Sequence, residues 1–255
     1  MDQNREPGRD KIEGGELHVK HGKVWRWFDN FWYHHKWKTI IAAVGLFAVL
    51  FCTLSMCRRK EPDFYFYYVG QGEFSGDEQR AIISSLSKAS GEDGRDADVS
   101  ITFLFLMTND QIRRFGEEHA GDGLSVNGGQ IGQNRELLSN EIMTGNALIM
   151  FFDPEVLAET QASTATDTAN PSSGAFLAIR QFAPDGTPDE AFPCEWGIDL
   201  RYTVFAADPA FAAFPEGTVV AIRNGVSALA LFQREEALEN RVRYETLLRK
   251  WLIVN

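Results

Sequence analysis

The sequence predicts the α/β class: one N-terminal transmembrane helix, then a three-layer α/β domain built on a mixed, mainly parallel sheet. Three observations carry this. Thr39 to Met56 (TIIAAVGLFAVLFCTLSM) is 18 residues long without a charge. The charge balance changes sign at that run, from a net of +5 in residues 1–60 to −16 in residues 61–255, where 30 Asp and Glu face 14 Lys and Arg. From Asp63 onward, strand-like and helix-like patterns alternate, the order that builds parallel strands with helices on both faces.

As a helix the apolar run spans roughly 27 Å, close to the hydrocarbon thickness of a bilayer. A buried core helix would be shorter, roughly 10 to 14 apolar residues, and would lack the flanks seen here. Trp25, Trp27, Trp32, Tyr33 and Trp37 place amphipathic rings at one interface, with Lys36 and Lys38 beside them; Arg58, Arg59 and Lys60 mark the other. A cleaved signal peptide would need an unusually long charged region, and Met56 before Cys57 fits a lipoprotein site poorly. The expected organisation is a cytoplasmic tail with an aromatic juxtamembrane segment (1–38), a membrane helix (39–57) and an extracytoplasmic domain (61–255). Lys20, Lys23, Arg26, Lys36 and Lys38 precede the run against three basic residues after it, which places the N-terminus inside. The acidic remainder also avoids the anionic inner leaflet.

Within the domain, Asp63 to Gly70 reads as a buried strand. Ser75 with Glu78 forms a capping box opening a helix that turns Ile82, Leu86 and Ala89 inward. Val99 to Met107 is a second strand, and Thr108 with Gln111 a second capping box, with Ile112 and Phe115 inward. Asn134 to Thr144 reads as a helix closed by Gly145, Ala147 to Phe152 as a strand, and Pro154 as a helix start. Residues 160–174 (TQASTATDTANPSSG) are poor in large apolar side chains and read as a flexible loop. Ala175 to Phe182 and Gly197 to Ala206 read as strands, and Thr218 to Phe232 as a hairpin about Asn224-Gly225 in a type I′ turn. A last helix, about Gln233 to Leu252, has Ala237, Arg241, Tyr244, Leu248 and Leu252 on one side, with Leu238, Val242 and Leu247 broadening the stripe.

Two stretches resemble known families. Phe31-Trp32-Tyr33-His34-His35-Lys36-Trp37 with the following helix resembles the start of uncharacterised single-pass membrane proteins of Gram-positive, clostridia-type bacteria, which implies a short cytoplasmic tail and an extracytoplasmic α/β domain. Leu137 to Pro154 is similar to a helix–glycine–strand–aspartate segment in one lobe of extracellular solute-binding proteins, with Thr144-Gly145-Asn146-Ala147 where that family has A-G-x-x-P-D. The second resemblance implies a solute-sensing lobe.

No stretch carries a specific catalytic signature. Asp93, Asp96 and Asp98, with Glu92, offer hard oxygens, but the glutamate of a calcium loop is replaced by the strand at Val99. Glu117, Glu118, His119 and Asp122 lie at neighbouring positions that a helix points in different directions. Ser125 lacks the glycine of a nucleophile elbow, and Cys194 reads as a small buried hydrophobe. The glycine-rich stretch Gly121 to Gly132 has no lysine and matches no phosphate-binding pattern, so it reads as a flexible surface loop. The expectation is therefore a non-enzymatic binding or interaction module without cofactor or metal. The alternatives are a solute-sensing lobe and a surface hydrolase. Expected partners are membrane lipid and either a surface protein or a small solute; net −16 argues against nucleic acid.

Overall fold

A computed structural model describes residues 23–58, 61–165, 174–225 and 234–252. The chain divides into two units, residues 1–60 and 61–255.

In the first unit a single helix, α1, runs from Lys23 to Arg58. It starts well before the apolar run, so the ring-rich segment and the apolar segment form one rod of roughly 54 Å. Within it, Phe31–Thr53 is long and apolar enough to cross a membrane, and none of that stretch is buried. Rings meet along the helix at the four-residue spacing, Trp27 stacked on Phe31 at 5.6 Å and Phe31 tilted against His35 at 5.1 Å.

The second unit holds a five-stranded open sheet in the order β2-β1-β3-β5-β4. The strands are β1 (Phe64–Gly70), β2 (Val99–Phe105), β3 (Ile149–Phe152), β4 (Gly197–Asp199) and β5 (Val219–Ile222). The helices are α2 (Gly76–Ser90), α3 (Asn109–Glu118), α4 (Gly128–Thr144), α5 (Pro154–Thr164) and α6 (Arg234–Trp251). β1 is parallel to β2 and to β3, while β5 runs antiparallel to both β3 and β4. The sheet is thus mixed: β4, antiparallel to β5, points the same way as β1, β2 and β3, and β5 alone among the described strands runs against them.

Side chains alternate across β1. Phe64, Phe66 and Tyr68 meet Ile82 and Leu86 of α2 and Tyr244, Leu248 and Trp251 of α6. Val69 and Leu104 meet Ile131 and Leu138 of α4 and Val156 and Leu157 of α5. These two cores make the three layers. On α6 the expected stripe is narrower than the sequence suggested: Leu238 and Val242 are exposed, and Arg241 pairs with Glu245 at 2.8 Å. Trp251, fully buried, supplies the bulk instead.

β3 begins two residues too late to pair with the start of β1, because Phe66 is the first β1 residue opposite it. The Tyr244 hydroxyl of α6 takes the vacant place, accepting from the Tyr65 N–H at 2.6 Å and donating to the Tyr65 carbonyl at 3.1 Å. Burial pushes that hydroxyl's pKa upward, so it stays a protonated donor.

The second half departs from expectation. Ala175 to Phe182 forms no strand: Phe176 makes a single bridge to Arg223, and Ile179–Gln181 is a short helical turn. The cause is a side chain. Buried Gln161 accepts from the Phe176 N–H at 2.9 Å and donates to its carbonyl at 3.2 Å, standing in for a neighbouring strand. The same contact explains why Thr160–Thr164 is the last turn of α5 instead of loop; residues 166–173 of the expected loop lie outside the described residues. The strand expected over Gly197 to Ala206 stops at Asp199, whose carboxylate accepts from the Arg201 N–H at 2.8 Å and starts a short turn. Of the expected hairpin, Val226 to Phe232 lies outside the described residues. Gly225 has φ 109°, but Asn224 is not at positive φ, so the turn is not type I′. The pair of positive φ angles that such a turn needs occurs at Asp93 (53°) and Gly94 (74°), bridging Glu92 to Arg95.

Candidate functional site

The chain leaves β1 for α2 on one face of the sheet, and leaves the adjacent β2 for α3 on the other. In open α/β sheets ligands bind outside the carboxyl ends of the parallel strands. A cleft of about 880 Å³ lies there. Its walls are Gln71 to Phe74 after β1, Gln79 on α2, Phe103, Phe105 and Met107 at the end of β2, Phe115 on α3, and Ser125 to Asn127 and Gln130 at the start of α4.

Short-range contacts fix these walls. The Gly72 N–H donates to the Tyr68 hydroxyl at 2.9 Å, and burial pushes that hydroxyl up to about 12. Gly72 has no room for a side chain: a Cβ there would sit 2.7 Å from the Tyr68 oxygen and 3.0 Å from Pro215. The Gln79 amide donates to the Phe74 carbonyl at 3.0 Å. Phe74 packs on Phe103 at 4.8 Å and edge-on to Tyr68 at 4.9 Å, leaving both cleft rings half-buried. On the opposite wall Phe115 stacks on His119 at 4.2 Å.

Three helices begin around the cleft, each capped by its own residues. Ser75 and Glu78 close a capping box on α2 and Thr108 and Gln111 one on α3, as the sequence predicts. The Asn127 carboxamide accepts from the N–H groups of Gly129 and Gln130 at 3.1 and 3.2 Å. That cap corrects the reading of Gly121 to Gly132 as a loop, since Gly128 onward is the first turn of α4. The same cap moves the helix start six residues before Asn134. Among the lining residues Glu73 is the one charged side chain, and none is Lys, Arg or His. What the cleft offers is ring faces, amide groups and one carboxylate.

The residues singled out from sequence lie elsewhere, except Phe115 and, from the glycine-rich stretch, Ser125, Val126, Asn127 and Gln130. Asp93 sits at the turn tip, and Asp98 is tied by its backbone to Asp63, which receives its N–H at 2.9 Å. Asp96 follows on the same exposed segment. Among the described residues no group of three or more His, Cys, Asp or Glu is placed to hold a metal. Glu117 pairs with Arg113 at 2.9 Å, and His119 closes α3 with Nδ1 3.0 Å from the Phe115 carbonyl, so the His-carboxylate cluster is dispersed. Burial pushes the Cys194 thiol upward, and the side chain packs against the second core. On α1, Trp27, Trp32, Tyr33, Lys36, Trp37 and Lys38 are exposed. The side chains of Trp25 and Arg58, and Arg59 and Lys60 altogether, lie outside the described residues.

Sequence reasoning missed Gln71, Glu73, Phe74, Gln79, Phe103 and Phe105. The usable signal was topological: each lies at or just past the carboxyl end of a predicted strand, or at a helix start that faces it. Comparison with protein-family models, curated proteins and solved structures returned no match.

Proposed function

We propose that this chain is a single-pass membrane-anchored binding module, inserted through α1 with its N-terminal tail cytoplasmic, whose extracytoplasmic domain takes a small solute in the cleft at the carboxyl edge of β1 and β2. The observation that carries the binding role is the cleft itself. Its volume of about 880 Å³ suits a small molecule, and apolar walls with a few convergent polar groups are the usual make-up of such sites. It lies at the carboxyl ends of parallel strands, the edge at which open α/β sheets bind their ligands. The anchoring role rests on the 23 residues of Phe31–Thr53, roughly 35 Å of helix, whose N-terminal end carries the exposed Trp32, Tyr33, Lys36, Trp37 and Lys38.

The full-length chain is expected to stay in the membrane pellet after carbonate extraction, and protease added to intact cells is expected to remove residues 61–255 while sparing the tail. Release by carbonate would overturn the anchoring. For the cleft, a panel of metabolites is expected to contain solutes that raise the melting temperature of the full-length protein, because a ligand that binds only the folded state stabilises it. Gln130→Trp, which fills the cleft from an exposed position, is expected to abolish those shifts. Shifts that survive the substitution would place binding elsewhere.

A further inference from the structure

The cleft's charge pattern allows its ligand class to be named. We infer that the cleft selects a small organic cation, an amine or quaternary ammonium with a hydrocarbon body, held over the Phe74 and Phe103 rings with Glu73 as counter-ion. This rests on the cleft being the binding site.

Phenyl faces attract cations through their quadrupole, and the attraction grows as water is excluded. Phe74 and Phe103 lie 4.8 Å apart at 45°, two half-buried rings that both line the cleft. Phe115 stands on the other. Glu73 supplies the only formal charge among the lining residues. The arginines of the flanking helices are already engaged: Arg80 pairs with Asp77, Arg113 with Glu117, Arg114 with Glu155 and Arg135 with Glu159.

Anions are the alternative, since helix N-termini favour them. Here the caps take part of that capacity: Ser75 accepts the Glu78 N–H, Thr108 the Gln111 N–H, and Asn127 the N–H groups of Gly129 and Gln130. Glu78 adds a carboxylate in the first turn of α2, while Asp77 and Asp110 are paired with Arg80 and Arg113. A net of −16 over residues 61–255 acts in the same sense at longer range. An anion entering the cleft would meet a carboxylate and no free cation.

The test uses three molecules of nearly one shape and different charge: choline, 3,3-dimethylbutan-1-ol and 3,3-dimethylbutanoate. They are titrated calorimetrically into the full-length protein in a maltoside detergent, which carries no ammonium group. Choline is expected to bind about tenfold more tightly than the neutral alcohol, in the range that a charge over ring faces provides, and the carboxylate not at all. Glu73→Gln, at an exposed position, is expected to shrink the choline-to-alcohol ratio several-fold without changing the melting temperature of the free protein. Equal or tighter binding of the alcohol or the carboxylate would overturn the ligand class and leave the cleft as a binding site. The ligand class is overturned in the same way if none of the three binds while other solutes give shifts that Gln130→Trp abolishes. No binding by these three or by any metabolite in the panel would overturn both readings.

Discussion

Trp251→Ala is expected to lower the melting temperature of the domain by about 10 °C. Trp251 is fully buried and packs on Phe66 at 5.3 Å, Phe205 at 4.8 Å and Phe151 at 6.2 Å, so one ring joins α6 to the two central parallel strands and to the turn after β4. Its indole N–H also reaches the Ala89 carbonyl at 3.4 Å, tying α6 to the end of α2. Truncating a large buried aromatic costs about 3–5 kcal/mol, transfer and cavity effects together. A domain of this size holds about 5–15 kcal/mol in all and loses roughly 2–4 °C per kcal/mol. Calorimetry or circular dichroism melts read the shift. A fall under about 3 °C would mean that the aromatic cluster closes over the void.

Arg223→Met is expected to destabilise by about 3 kcal/mol, comparable in size but different in cause. The Arg223 guanidinium is almost completely buried, and burial pushes its pKa down. It donates to the carbonyls of Glu141 at 2.6 Å, Ile142 at 2.7 Å and Gly145 at 2.8 Å, which end α4. The charge sits at the negative pole of that helix, where it is favoured. Replacing a buried ion with a hydrophobe is sometimes neutral because desolvation is relieved, and the unpartnered Arg223 Nε adds to that relief. The substitution, however, takes a donor from three half-buried carbonyls; that of Glu141 keeps the Gly145 N–H at 2.8 Å, while those of Ile142 and Gly145 lose theirs, and each unsatisfied group costs about 1–3 kcal/mol. The second effect wins by number. In urea the midpoint is expected to fall by about 1.5 M at a slope near 2 kcal/mol/M. Arg223→Lys, which keeps the charge but not the fork, should lie between. A methionine variant as stable as the parent would show that water caps α4 equally well.

The first half of the domain was legible because its signals are local. Ser75 with Glu78 and Thr108 with Gln111 each satisfy a helix end within four residues, and both boxes form as expected. Apolar runs at Phe64–Gly70 and Val99–Phe105 need no partner to be recognised. The second half is held by polar side chains working at long range, which leave no local trace. Gln161 substitutes for a strand beside Phe176, and Arg223 ends a helix about 80 residues before it in sequence. Asp199 stops the strand expected to reach Ala206 by capturing the next turn. The cleft was hidden for a related reason. Its residues come from five separate segments between Gln71 and Gln130, and no motif joins them. The alternation of strand and helix was legible, and with it the edge where such a cleft forms, but not the identity of the residues that line it.

The hydroxyl that Tyr244 lends to Tyr65 joins positions 179 residues apart. During synthesis the opening strand emerges long before the helix that completes its bonding, and until then its leading amide and carbonyl have only water as company. Assembly of this half of the sheet is therefore all-or-none, awaiting nearly the whole polypeptide, and slow by the measure of contact distance along the chain. Any nascent fragment lacking α6 presents an open strand to its neighbours.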